Sequence, residues 1–243
     1  MTPSRTLATA RRVLLQLRHD PRTLAMLLVV PVVLMGLLAW ILTDADFDFW
    51  APPLLGIFPM LVMFLVTSVA TLRERTGGTL ERLLSMPAGK GDIIFGYALA
   101  FGTLAVVQAV VVSAAAFGLF GLDVAGSRWL VGLVAVIDAL LGTALGLFVS
   151  AFARTEFQAV QFMPLVLIPQ ILLCGLLVPT DELPTLLRWA SVVMPLTYAV
   201  EAMQEVLRSV TTTATFRQNV AILALIAVGL LGLGAATLRR RTA

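Results

Sequence analysis

Six stretches of this sequence are apolar over the length that a helix needs to cross a lipid bilayer, and no other feature limits the fold so tightly. They run roughly over Thr23–Leu42, Pro53–Leu72, Ile93–Phe120, Trp129–Phe152, Phe157–Val178 and Val220–Leu238. A bilayer core about 30 Å thick needs about 20 mostly apolar residues in a helix rising about 1.5 Å per residue. Composition agrees. The 243 residues are 59% hydrophobic and 13% charged, with a mean hydropathy of +0.97, whereas a soluble domain is about a quarter charged. A soluble core of this size could not hide so much apolar surface. The expected fold is an all-α membrane protein with six transmembrane helices in a single domain over 1–243, with no room for a soluble catalytic domain beside it.

The basic residues set the orientation. With both termini in the cytoplasm, Arg5, Arg11, Arg12, Arg18, Arg22, Arg73, Arg75, Arg82, Lys90, Arg154, Arg239, Arg240 and Arg241 fall inside. Only Arg128, Arg188, Arg208 and Arg217 fall outside, which accounts for all 17. The positive-inside rule selects this arrangement. The first 22 residues lack the compact apolar core of a cleavable signal peptide. The net charge of +3 is spread over the ends of apolar runs, which fits topology rather than nucleic-acid binding.

Three connecting segments carry further pattern. In residues 4–20, Leu7, Ala10, Val13, Leu14 and Leu17 form an apolar stripe with Arg5, Arg12 and Gln16 opposite. This predicts an N-terminal interfacial helix, against the plainer alternative of a basic topology signal. In the 73–91 loop, Gly77-Gly78 breaks the long helix and Thr79 is placed as an N-cap. Leu80, Leu83 and Leu84 then share a face up to Pro87, which predicts a short cytoplasmic helix. In 179–218, Pro179, Pro184 and Pro195 divide two short amphipathic stretches. One holds Leu183, Leu186, Leu187 and Ala190. The other holds Tyr198, Ala199, Ala202, Met203 and Val206, with Glu201 and Glu205 one turn apart. They predict short re-entrant outer helices, against surface helices on the bilayer. The aspartates Asp44, Asp46 and Asp48 read as a solvated outer loop.

Catalytic patterns are lacking. The sequence has no Gly-x-x-x-x-Gly-Lys-Ser/Thr phosphate loop; Gly89-Lys90 is followed by Gly91. Cys174 and His19 are each the only residue of their type, which excludes an intrachain disulfide and a Cys/His metal cluster. Asp138 is the clearest acid at membrane depth, placed either in a hydrogen-bonded helix contact or in a proton or cation role. Gln158 and Gln161 share a helix face, and with Gln170 and Asp138 they are candidates for a substrate path or for bonds between helices. Gln108 is a further polar residue at that depth. Gly142 and Gly146 predict a close helix contact.

Two segments resemble a known family. Arg73-Glu74-Arg75-Thr76-Gly77-Gly78-Thr79-Leu80-Glu81-Arg82-Leu83 is similar to the signature after the second span of ABC-2 type permeases of the daunorubicin-resistance-like exporters. The run GLLVPTDELPTLLRWASVVMPLTYAVEAM, Gly175 to Met203, resembles their segment before the last span. The resemblance implies a dimeric permease, of identical or related halves, in the cell membrane of a bacterium. It is paired with separate cytoplasmic ATPase subunits that bind ATP and magnesium, and is not catalytic alone. It implies ATPase contacts at Glu74, Thr79, Glu81 and Arg82, and an external gate near Pro184, Trp189 and Pro195. The expected substrate is an amphipathic drug, antibiotic, lipid or glycan, with efflux and drug resistance as the outcome. Other readings stay open: an ion-coupled secondary transporter, an intramembrane enzyme, or a non-transporting membrane subunit of an ABC-like assembly.

Overall fold

The structure is a computed structural model that describes residues 3–77 and 90–237. Among the described residues nine helices follow one another and no strand occurs. They are α1 (Pro3–Arg18), α2 (Pro21–Ile41), α3 (Asp44–Thr76), α4 (Lys90–Gly118), α5 (Arg128–Ser150), α6 (Glu156–Leu173), α7 (Thr185–Val193), α8 (Pro195–Arg208) and α9 (Ala214–Thr237). The helices α2, α3, α4, α5, α6 and α9 are long and apolar enough to cross a membrane. The chain is therefore an all-α, multi-pass membrane protein, as its apolar runs predict.

The helices α3 and α5 form the centre of the bundle. Gly142 and Gly146 of α5 lie against the α3 backbone, where an added Cβ would come 2.3 Å from the Met60 carbonyl oxygen and 2.6 Å from that of Phe64. Two helices approach this closely only where one presents no side chain. Around the pair stand α2, α4, α6 and α9, whose outer faces carry exposed apolar residues such as Val33, Val110, Ile168 and Leu225. At one end α8 packs against α9, α3 and α5. At the other, α1 lies against α4, with Thr9 over Gly96.

Proline supplies the logic of a second contact. Pro31 sits inside α2 and has no N–H for the Leu27 carbonyl four residues earlier. In lipid such a carbonyl must find another donor. The buried Gln108 of α4 provides it, its side-chain amide donating to Leu27 O at 2.8 Å.

Several features differ from expectation. Asp44, Asp46 and Asp48 belong to α3, not to a solvated loop. Thr43 caps the helix by accepting from Asp46 N–H, and Asp44 and Asp46 occupy the first turn, where negative charge is favoured by the helix dipole. Asp48 accepts from Asp123 N–H at 2.8 Å. The fifth span ends at Leu173 rather than Val178, because Gly175 at φ +86° turns the chain out of the helix. The α1 stripe is also rotated. Ala10, Val13 and Leu17 are buried as expected, but Leu7 is 62% exposed. Arg12, read as facing away, reaches back into the bundle. Close approach at Gly96 turns the Thr9 side of α1 inward, leaving Leu7 on one rim and the long Arg12 side chain on the other.

Two predictions follow from these contacts. Gly142→Val forces apart the α3–α5 backbones and lowers stability by at least about 2 kcal/mol. Gly229→Ala, where a Cβ meets nothing within 4 Å, changes it by less than about 0.5 kcal/mol. Thermal unfolding in detergent compares the two. Gln108→Leu strands the Leu27 carbonyl and costs about 1–3 kcal/mol. Adding Pro31→Ala restores most of the loss, because the alanine amide supplies the missing donor; equal losses in the single and double variants would contradict the pairing.

Candidate functional site

The arginine-rich end of the bundle is held by charge pairs that sequence spacing does not show. Arg12 of α1 donates to both oxygens of Glu74 at the end of α3, at 3.2 and 3.0 Å. The same guanidinium donates to the Tyr97 hydroxyl of α4 at 2.7 Å and lies 5.8 Å from its ring centroid. The Tyr97 hydroxyl in turn donates to Glu74 Oε2. Burial opposes the charge on Arg12, but the bonds to Glu74 and Tyr97 outweigh it and raise its pKa above the usual value. This three-way bond joins α1, α3 and α4 and is largely enclosed, with Arg12 29% and Glu74 15% exposed. Bidentate arginine–carboxylate geometry fixes direction as well as distance.

Around it, Arg73 pairs with Glu156 at the start of α6 through two 2.8 Å bonds. Arg75 donates to Ser150 O at 2.8 Å, satisfying a terminal carbonyl of α5. Asp20 caps α2 by accepting from the Thr23 hydroxyl at 2.6 Å and the Thr23 N–H at 3.2 Å. Those bonds hold its carboxyl below the usual range, so Asp20 is ionised at neutral pH.

The expected ATPase contacts divide. The Glu74 carboxylate is engaged within the chain, by Arg12 and Tyr97. Thr79, Glu81 and Arg82 lie outside the described residues, as does the predicted short helix after span two. Those expected along a substrate path are dispersed. Gln158 accepts from Arg154 N–H at 2.9 Å at the start of α6, while Gln161 is exposed. Gln170 is buried and donates to Val166 O within its own helix. It lies about 18 Å along the axis from Gln158. Asp138 is fully buried, and neither of its oxygens has a hydrogen-bond partner among the described residues. It lies against Gly56 of α3, where an added Cβ would come 2.8 Å from Oδ2.

At the opposite end, α8 is tied to its neighbours through the two glutamates noted in the sequence. Glu201 accepts from Thr180 at 3.4 Å and from Asn219 of α9 at 3.2 Å. Glu205 accepts from Thr213 at 2.8 Å, and Thr213 in turn accepts from the Phe216 N–H. Of the expected gate residues, Pro195 is buried at the start of α8, while Pro184 precedes α7 and Trp189 on α7 is 72% exposed. Sequence reading missed the Arg12–Glu74–Tyr97 bond, because its partners lie 62 and 85 residues from Arg12. The one available signal was a tyrosine and a glutamate at the basic ends of two neighbouring spans.

These features define a polytopic helical membrane protein with a charge-bonded basic end and a helical cap at the other. The chain belongs to the ABC-2 type transporter family, whose model matches residues 5–207. It is 32% identical to ABC transporter G family member 20 of Dictyostelium discoideum over 160 residues, 66% of this chain and 22% of that protein. It is 28% identical to the probable multidrug ABC transporter permease YbhR of Escherichia coli K12 over 168 residues, 69% of this chain and 46% of that protein. It is also 28% identical to the inner membrane transport permease YhhJ of the same strain over 148 residues, 60% of this chain and 40% of that protein. The chain thus spans less than half the length of each of these relatives.

The geometry ranks the basic-end contacts. Arg12→Ala leaves the enclosed Glu74 carboxylate and Tyr97 hydroxyl short of a donor and costs about 2 kcal/mol. Arg73→Ala breaks a pair that is 58% and 51% exposed and costs less than about 1 kcal/mol. Hydrogen exchange of the α1 amides rises strongly in the first variant and little in the second; the reverse order would contradict the assignment.

Proposed function

We propose that the chain is the membrane-spanning subunit of an ATP-driven exporter, paired with a second permease and powered by a separate ATPase that binds ATP and magnesium. One observation carries the reading. The Arg12–Glu74–Tyr97 bond joins the α1 helix to α3 and α4, the two spans that flank residues 78–89. Family membership and the relatives named as ABC transporters and permeases support it. The basic end faces the cytoplasm by the positive-inside rule.

The ATPase docks on the 73–91 segment, with Thr79, Glu81 and Arg82 as its contacts. Glu74 acts from within, holding α1 to α3 so that a push on the loop moves both. Motion of the ATPase is useful only if it bears differently on two arrangements of the bundle. The α3–α5 seam is the stiff element through which displacement reaches the far end. There α7 and α8, with Pro184, Trp189 and Pro195, form the external gate, held shut by the Glu201 and Glu205 bonds. Release of an amphipathic compound on that side completes the cycle.

Copurification with the ATPase, followed by ATP-dependent flux in sealed vesicles, tests the reading. Charge reversal at both Glu81 and Arg82 reduces ATPase capture at least about tenfold and flux in proportion, with the permease still folded. Flux that persists without the ATPase would favour an ion-coupled transporter instead. Capture without flux would leave a non-transporting subunit.

A further inference from the structure

Asp138 plays no part in the transport reading, although it is a fully buried acid near the middle of the α5 span. It stands in the α3–α5 seam. Asp138, Gly142 and Gly146 recur every four residues along α5. They face Gly56, Met60 and Phe64, which recur in the same way along α3. To the two α5 glycines α3 presents carbonyl oxygens, those of Met60 and Phe64. At the third place the roles are exchanged. There α3 supplies the glycine and α5 the side chain, with Asp138 Oδ2 2.8 Å from where a Gly56 Cβ would stand. The Met203 methyl of α8 lies 3.6 Å from the same point.

An ionised carboxylate does not fit this place. It can only accept hydrogen bonds, and neither oxygen has a donor among the described residues. No arginine or lysine forms an ion pair with it among those residues. Cys174, just after α6, is near enough to interact with it through space, but a thiol brings no positive charge. On α8, Glu201 and Glu205 are engaged by Thr180, Asn219 and Thr213. The carbonyl oxygens that α3 turns towards the seam carry partial negative charge and repel an anion. A metal ion would need several oxygen ligands, and no three His, Cys, Asp or Glu cluster among the described residues. A neutral carboxyl does fit. It has one O–H to donate, and a backbone carbonyl can accept a second bond. Its burial also avoids the cost of an unpaired charge at membrane depth.

We infer that Asp138 is a proton-binding site: its carboxyl is neutral at neutral pH and donates its O–H to the α3 backbone beside Gly56. The proton closes the third place of the seam, as the missing side chains of Gly142 and Gly146 close the other two. The site belongs to the chain alone and does not depend on the transport reading.

Infrared spectroscopy of the full chain in lipid nanodiscs at neutral pH tests it. Subtracting the spectrum of Asp138→Asn from that of the unaltered chain leaves the carbonyl band of one protonated carboxylic acid. Heavy-carbon labelling of the aspartate carboxyls moves that band and assigns it to aspartate. Gly56→Ala crowds Oδ2 away from α3 and shifts the band to higher frequency, as a weaker donated bond requires. If that variant does not fold, the Asp138→Asn difference spectrum decides. Thermal unfolding gives an independent reading. Asp138→Asn keeps the shape, the neutrality and a donor, so the midpoint falls by less than about 2 °C. Asp138→Ala removes the donor and lowers it by about 5 °C. A carboxylate band in place of the acid band would overturn the site. So would a band that folded Gly56→Ala leaves unmoved, or an asparagine variant as unstable as the alanine one.

Discussion

The close seam between α3 and α5 is the contact on which the rest of the bundle is built. A lipid environment provides no hydrophobic drive to bring helices together, so close packing and polar bonds must do it. Gly142 and Gly146 bring the α5 axis onto the Met60–Phe64 backbone of α3, and both helices are mostly buried as a result. The outer spans then attach by individual devices. Gln108 replaces the donor that Pro31 lacks in α2. Arg73 draws the start of α6 towards α3. Glu201 and Glu205 tie α8 to the beginning of α9.

The two ends of the bundle differ in chemistry, and that difference gives the molecule a direction. At the basic end Arg12 and Glu74 are paired in partly enclosed surroundings, and α1 is joined to α3 and α4 by that bidentate arginine. At the other end Glu201 and Glu205 accept from hydroxyl and amide groups, which are weaker and more readily exchanged partners than a guanidinium. Under the proposed function, an input at the basic end would meet the firmer joint first and the looser one last.

The spans were legible because bilayer thickness imposes a length and lipid forbids charge, both of which are visible in a string of residues. The α8 stripe was legible for a related reason: Ala199, Ala202, Met203 and Val206 repeat at helical spacing and are all buried. Asp44, Asp46 and Asp48 misled because three aspartates resemble a loop, while their stabilising context, a Thr43 cap and a helix N-terminus, depends on where the helix begins. Gln158, a candidate for the substrate path, accepts from the Arg154 N–H at the start of α6, a contact invisible in composition, while Thr155 caps that helix. The Arg12–Glu74–Tyr97 bond was hidden for the opposite reason to the spans. It depends on which helices become neighbours, and local pattern does not carry that information. Asp138 stood out by rarity alone, and the structure gives its carboxylate no partner among the described residues.

Everything about coupling depends on which side of the membrane the basic end occupies. Cysteine labelling in sealed, oriented vesicles measures this directly, with Cys174→Ser as the background and single cysteines introduced at Thr76 and Asp181, both exposed. A membrane-impermeant maleimide is expected to reach position 181 from the outside and position 76 only after the vesicles are opened. Labelling of position 76 from the outside would place the charge-bonded joint away from any cytoplasmic motor and contradict the account.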